Sequence, residues 1–263
     1  PSLEPSITVA PVIPTESDDA VGHSDPTMAG LAAEGQPSPS FEFQGSNTPS
    51  TSSQAVSISI IADDGQIIDV AFYSATIRPA PTVILLHDTG QISDAWEPLA
   101  SPLRENGYNV AVPTLRRVPD SPTEAYWQQV QADIGSIVEN IFGINRLSTE
   151  TIIIIGAGSG ANLGLISCAA LPSCVATIAI SPQNNIATLD FSSSIAAYQG
   201  RGVMLISADD DSVGTATAEA LNNQLTGDHT WQRYSGGGRG TDLLSQADLS
   251  QRIVGWVRLR ATP

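Results

Sequence analysis

The sequence predicts an α/β fold: a mostly parallel central sheet of about eight strands, helices on both faces and no large lid. Three observations carry this. Short, near-continuous apolar runs such as TVILLHD (82–88) and TIIIIG (151–156) have the pattern of strands buried on both sides. They alternate with amphipathic stretches of helical length, the order that a parallel sheet with crossover helices produces. The chain has 263 residues, 41% of them hydrophobic, and its mean hydropathy is +0.02, enough to bury one large core.

The elements follow in order. SISIIAD (57–63) and QIIDVAFYS (66–74), separated by Asp64-Gly65, read as a hairpin. TVILLHD is the third strand, followed by a helix at about 94–106. YNVAVPT (108–114) is the fourth strand, and a helix at about 122–142 follows it. TIIIIG is the fifth and most apolar strand, and GAGSGANLGLISCAA turns directly from it into a helix. VATIAIS (175–181), GVMLISA (202–208) and TWQRYS (230–235) complete the sheet, with helices at about 213–226 and 242–258. Trp96, Trp127, Trp231 and Trp256 fall on these elements and are expected to pack in or at the edge of the core. The segment 181–200 is too short to form a lid domain.

Residues 1–54 differ in composition. They hold eight Pro, ten Ser and seven acidic residues without one Arg, and no apolar period runs through them. Such a segment reads as a linker or arm, disordered unless a partner binds it. The fold is assigned to 55–263. The chain opens at Pro1 with neither Met nor an apolar signal segment, as a processed mature form would, and an anchor preceding Pro1 stays open. No stretch has the 18 or so apolar residues of a membrane span.

The formal charge of −16 and the pI of about 4.2 argue against nucleic acid or an anionic membrane surface as a direct partner. All 11 basic residues are Arg. A chain without Lys has no Schiff-base, Ser–Lys or P-loop chemistry. With three His (His23, His87, His229), a histidine-rich metal centre is not expected, and neither is a cofactor. Cys168 and Cys174 flank a helix end and a strand start. A disulfide and two buried free thiols both fit, and the disulfide would agree with an extracytoplasmic protein.

The motifs carry a more specific resemblance. ILLHDTGQISDAWEPLASPLRENGYNVAVPTLR resembles the oxyanion strand, first helix and following strand of the α/β-hydrolase family. IIIIGAGSGANLGL resembles the nucleophile elbow of its dienelactone-hydrolase-like bacterial esterases, where G-A-S-x-G-A-N-L is typical. VMLISADDD resembles the strand that delivers the acid, and YSGGGRGTDLL their Y-x-G-x-G-H-G-T-x-L histidine loop. The resemblance covers roughly residues 57–258 and implies the α/β-hydrolase fold.

It does not bring the catalytic residues with it. The third position of G-x-S-x-G holds the nucleophile at a tight strand-to-helix turn, and here it is Gly158. The family's histidine falls on Arg239, whose guanidinium cannot accept a proton from a serine. Only the acid position survives, as Asp211, beside Asp209 and Asp210. Ser159, one place along, is the fallback nucleophile and needs a base. His229 starts the last strand, about 17 Å from the Arg239 loop at about 3.3 Å per residue. His87 ends the third strand, and in the family that residue supports the oxyanion loop. His87, Asp88, Thr89 and Ser159 are the remnant of that loop, and a carboxylate at Asp88 would repel a developing oxyanion. Arg239 is expected to pair with Asp211, with Asp88 sharing the guanidinium. Arg116-Arg117 replaces the Arg-Gly turn of relatives and reads as a solvated loop. Gly156, Gly158 and Ala161 also match a dinucleotide fingerprint in form, but the turn follows the fifth strand and no acidic residue ends the next one, against nucleotide binding.

These features imply a catalytically inactive domain with a structural or binding role, an accessory subunit of a bacterial cell-envelope or membrane-associated complex. A protein partner would be contacted through residues 1–54. The alternatives are an esterase-type hydrolase with a non-standard centre at Ser159 and a small-molecule binding protein using the former active-site pocket.

Overall fold

The computed structural model describes residues 55–143, 148–184, 191–198 and 200–263. The expectations for 1–54, and for 185–190 and 199 within the segment 181–200, lie outside the described residues. The elements are β1 (Val56–Ile61), β2 (Ile67–Tyr73), β3 (Ala80–Leu86), α1 (Glu97–Glu105), β4 (Asn109–Pro113), α2 (Glu124–Gly143), β5 (Ser148–Ala157), α3 (Ser159–Ala170), β6 (Cys174–Ile180), β7 (Gly202–Ala208), α4 (Ser212–Gln224), β8 (His229–Tyr234) and α5 (Leu249–Arg258).

The strands form one sheet in the order β1-β2-β4-β3-β5-β6-β7-β8. β2 runs antiparallel to both β1 and β4, and every other pair is parallel. The period-2 geometry of a strand divides the apolar runs between two cores. Ile84, Leu86, Ile152, Ile154, Val203 and Leu205 face one side, packed with residues of α2, α3 and α4. Val83, Leu85, Ile153, Ile155, Met204 and Ile206 face the other, packed with α1 and α5. Helices on both faces explain why β3 and β7 are buried along their whole length. Truncating one of these side chains to Ala would cost about 2–5 kcal/mol.

The chain leaves β3 for β4 on one side and returns to place β5 on the other. The order of strands therefore reverses between β3 and β5, and the turns after their carboxyl ends face each other across the crevice where such sheets gather their functional groups. The segments 87–91 and 158–160 lie at this point.

Two expectations need correction. The last helix does not run from 242 to 258: a 3₁₀ turn spans Gly240–Ser245, Gln246 is extended, and α5 starts at Leu249. The break is held by the Gln246 side-chain amide, which donates to the Gly236 carbonyl. Arg116 is not solvated. Its guanidinium pairs with Asp64 and with Asp133, whose side chain is 3% exposed. An acid on the apolar face of α2 requires such a partner.

Cys168, near the end of α3, and Cys174, the first residue of β6, form a disulfide with their Cα atoms 5.2 Å apart. A turn in which the Cys174 N–H donates to the Leu171 carbonyl brings them together. Among the described residues no helix is long and apolar enough to cross a membrane, and no group of three or more His, Cys, Asp or Glu is arranged to hold a metal ion.

Candidate functional site

The turn from β5 into α3 has the geometry of a nucleophile elbow. Gly158 has φ +58° and ψ −121°, a conformation that costs a residue with a Cβ about 1–2 kcal/mol. The flanking glycines let strand and helix meet: a Cβ on Gly156 would stand 2.0 Å from the Gly160 carbonyl oxygen, and one on Gly160 would stand 2.2 Å from that of Leu86. The tight turn is therefore intact, and only its central side chain is missing.

The space of that side chain is filled from the neighbouring strand. A Cβ on Gly158 would lie 2.1 Å from Asp88 Cγ and 2.2 and 2.4 Å from its two carboxylate oxygens. The Asp88 carboxylate thus stands where a nucleophile's side chain would be, at a residue only 8% exposed. Donors converge on it. Asp88 Oδ1 accepts from the Ser159 N–H at 2.8 Å, the Ser159 hydroxyl at 2.8 Å, the Thr89 N–H at 2.8 Å and the Gln183 amide at 3.1 Å. Asp88 Oδ2 accepts from Arg239 Nη2 at 2.9 Å. The Ser159 amide, at the N-terminus of α3, is the donor an oxyanion would use, and here a fixed negative charge already occupies it. Each such bond to an ionised group is worth about 1.5–3 kcal/mol, which offsets the desolvation of the carboxylate.

This corrects the expected Arg239–Asp211 pair. Arg239 bonds Asp88, because the Asp211 carboxylate turns away to cap α4: its Oδ1 accepts from the Gly214 N–H at 3.0 Å. Among the described residues, Asp211 Oδ2 is buried without a hydrogen-bond partner, as an acid would be whose histidine has been replaced. The three consecutive acids take different roles. Asp209 pairs with Arg233, while Asp210 accepts from the N–H groups of Gly237 and Gly238, which hold its carboxyl below the usual range.

His87 has both ring nitrogens committed. Nε2 accepts from the Leu115 N–H at 3.1 Å, so the ring proton resides on Nδ1 and is donated to the Asp88 carbonyl at 2.8 Å. It anchors the loop after β3 to the end of β4 and has no free lone pair to offer Ser159. His229 bonds the Gly227 carbonyl at the start of β8, away from the site. Ser159 is 1% exposed, and its hydroxyl also accepts from the Thr89 N–H at 3.0 Å.

The structure brings His87, Asp88, Thr89, Ser159 and Arg239 together and leaves Asp211 out of contact with the guanidinium. It adds Gln183, which follows β6 and is held by its own backbone N–H bond to Asn162 at 2.9 Å. No sequence signal marks that residue. Asp211 did carry one, since Asp immediately before a helix is a preferred N-cap.

Beside this cluster lies a cleft of about 320 Å³. His87, Asp88, the loop after β4 and the first turns of α2 line it. Burial pushes the Tyr126 phenol in this lining up to about 12, and its hydroxyl donates to the Arg116 carbonyl.

The strand order, the elbow and the loops that meet at it define the α/β-hydrolase fold, and the chain has that fold. Solved structures agree. A Pyrococcus furiosus esterase superposes with a TM-score of 0.65 at 12% identity, over 79% of this chain and 91% of that one. A dienelactone hydrolase from Anabaena variabilis superposes with a TM-score of 0.63 at 13% identity, over 79% and 98%. An esterase from Exiguobacterium antarcticum superposes with a TM-score of 0.60 at 14% identity, over 77% and 100%. No protein-family model matches the chain, and no curated protein matches it in sequence.

Proposed function

We propose that this α/β-hydrolase-fold chain is not a hydrolase and works by binding or as a structural part. It would serve as an accessory subunit of a bacterial cell-envelope or membrane-associated assembly outside the cytoplasm. One observation carries the first half: the Asp88 carboxylate occupies the nucleophile's space and the oxyanion donor at once. Attack on an ester needs a nucleophile, a base and an empty anion hole. Gly158 supplies no nucleophile, Arg239 no base, and Asp88 fills the hole. The alternative centred on Ser159 has the same want of a base, since both His87 nitrogens are committed.

The second half rests on composition and on the disulfide. A Pro/Ser-rich acidic arm of 54 residues suits a tether that orders on a partner. A structural disulfide persists in an oxidising compartment. Two measurements test the reading. Purified protein should hydrolyse p-nitrophenyl acetate no faster than its Ser159→Ala variant. Gently extracted protein should migrate within a reproducible complex well above its own 27.4 kDa. Ester turnover that Ser159→Ala abolishes sinks the first half, and migration as a free monomer sinks the second.

A further inference from the structure

A second cleft lies away from the elbow. It holds about 330 Å³ between Gln131, Ala132 and Gly135 of α2 and Ser167, Ala170 and Leu171 at the end of α3. Two features of its lining are not explained by the packing of this chain. Ser167 is 1% exposed, and its hydroxyl has no hydrogen-bond partner among the described residues, where a buried hydroxyl ordinarily finds one. Gly135 stands in the middle of a 20-residue helix, a position where glycine is a poor helix former. Its φ is not positive, and a Cβ there would meet nothing within 4 Å. Nothing within the described chain therefore requires a glycine. The charges around the cleft have one sign. The two helices carry Glu124, Asp133 and Glu139 and no basic residue. Asp133 is met by Arg116. Glu139, one turn beyond Gly135 on the same face of α2, is exposed and has neither a hydrogen bond nor an ion pair among the described residues. α3 ends at the cleft and brings the negative end of its dipole there. Arg201, which reaches that end, is engaged by the Cys168 carbonyl.

Small residues on both walls let another helix come close. The buried hydroxyl offers it one hydrogen bond, and the uncompensated negative charge selects cations. We propose that the cleft between α2 and α3 docks a basic amphipathic helix of a partner protein. The seated face of that helix presents Ala, Leu and one hydrogen-bonding side chain, and Lys or Arg flank it. The cleft's volume admits side chains of the partner, whose helix lies along the mouth. Its apolar side chains cover Ala132, Ala170 and Leu171, its polar side chain meets Ser167, and its cations meet Glu139. A formal charge of −16 without one Lys sets this chain against a second copy of itself and in favour of a basic occupant. The inference names a partner surface for the subunit reading above and rests on that reading.

The experiment uses the full chain and a fluorescein-labelled helical peptide of about 18 residues, long enough to form a helix. The peptide has Ala, Leu and one Ser on one face and Lys on the other, and its counterpart has Glu in place of each Lys. Fluorescence anisotropy should rise saturably with the Lys peptide. Binding should weaken about tenfold or more for the Glu peptide and on raising the salt to about 0.5 M. Gly135→Leu fills the cleft and should abolish binding without lowering the melting temperature, because Leu is the better helix former. Ser167→Ala should weaken binding about fivefold, the size of one hydrogen bond, and leave stability unharmed. No saturable binding, or binding unchanged in Gly135→Leu, overturns the inference. A mass that doubles with concentration in the parent and not in Gly135→Leu gives the cleft to a second copy and overturns it too. Native migration separates this inference from the subunit reading. A complex that Gly135→Leu retains leaves the chain a subunit and refutes the cleft as its interface. Absence of any complex for the parent sinks the subunit reading itself.

Discussion

Replacing Gly158 by Ala asks directly whether Asp88 occupies the nucleophile's space. The new methyl carbon would sit 2.1 Å from Asp88 Cγ, against an ordinary carbon–carbon contact of about 3.5–4.0 Å. The carboxylate must move by more than 1 Å by that comparison, and it then leaves the buried Ser159 N–H and the Gln183 amide. Losing these two bonds, at about 1.5–3 kcal/mol each, costs about 3–6 kcal/mol. The positive φ adds about 1–2 kcal/mol. Gly158→Ala should therefore destabilise by about 4–8 kcal/mol, summed from these two terms. In an Asp88→Gly background the clash is gone, and the same substitution should cost only the backbone part, about 1–2 kcal/mol. Urea unfolding of the four proteins at constant m-value measures the difference. If Gly158→Ala costs the same in both backgrounds to within about 0.5 kcal/mol, the two residues do not share the space and the argument fails.

Further outcomes follow from the same geometry. Asp88→Gly, Gly158→Ser and Arg239→His together should yield measurable p-nitrophenyl acetate hydrolysis that none of the three gives alone, with the unpartnered Asp211 Oδ2 free to orient the new imidazole. Arg116→Ala leaves Asp133 buried without its cation and should lower stability by about 3–5 kcal/mol, read by denaturant midpoint. Asp64 is held at about 2 by its hydrogen bond to Arg116, below its ordinary 3.8. A carboxylate depressed on folding stabilises above its unfolded value. That contribution is lost as pH falls from about 4 to about 2, and Asp64→Asn should flatten the acid limb of the stability curve there.

The strands were legible because burial on both faces leaves few polar residues in β3, β5, β6 and β7, and the strand-to-helix turn was legible from its glycines. The start of the last helix was less so: the Gln246 break is held by a side-chain bond to Gly236, ten residues back, which no local period reveals. Within the candidate site, the missing nucleophile and base could be read residue by residue. The contact of Asp88 with the Arg239 guanidinium was expected too. That Asp88 fills the nucleophile's space and draws in Gln183 could not be read, because these residues meet only through the sheet order. Arg239 choosing Asp88 over Asp211 is a competition between a guanidinium and a helix N-terminus for one carboxylate, and it is decided by distances that sequence does not carry. The Arg116–Asp133 pair had a trace in sequence: a lone acid among Val130, Ile134 and Ile137 on the apolar face of α2.

The bonds of Asp88 also bear on the order in which the chain folds. Its carboxylate joins residues 71, 95 and 151 positions away. Contacts of such separation close large loops, and they can form only after β3, β5, β6, β7 and β8 are aligned. The carboxylate is then a late stitch, outside the folding nucleus. Removing it with Asp88→Ala should leave the refolding rate near that of the parent and place the loss on the unfolding arm of the chevron. A side chain that blocks chemistry in the elbow would thus also set how long the native state lasts once it has formed.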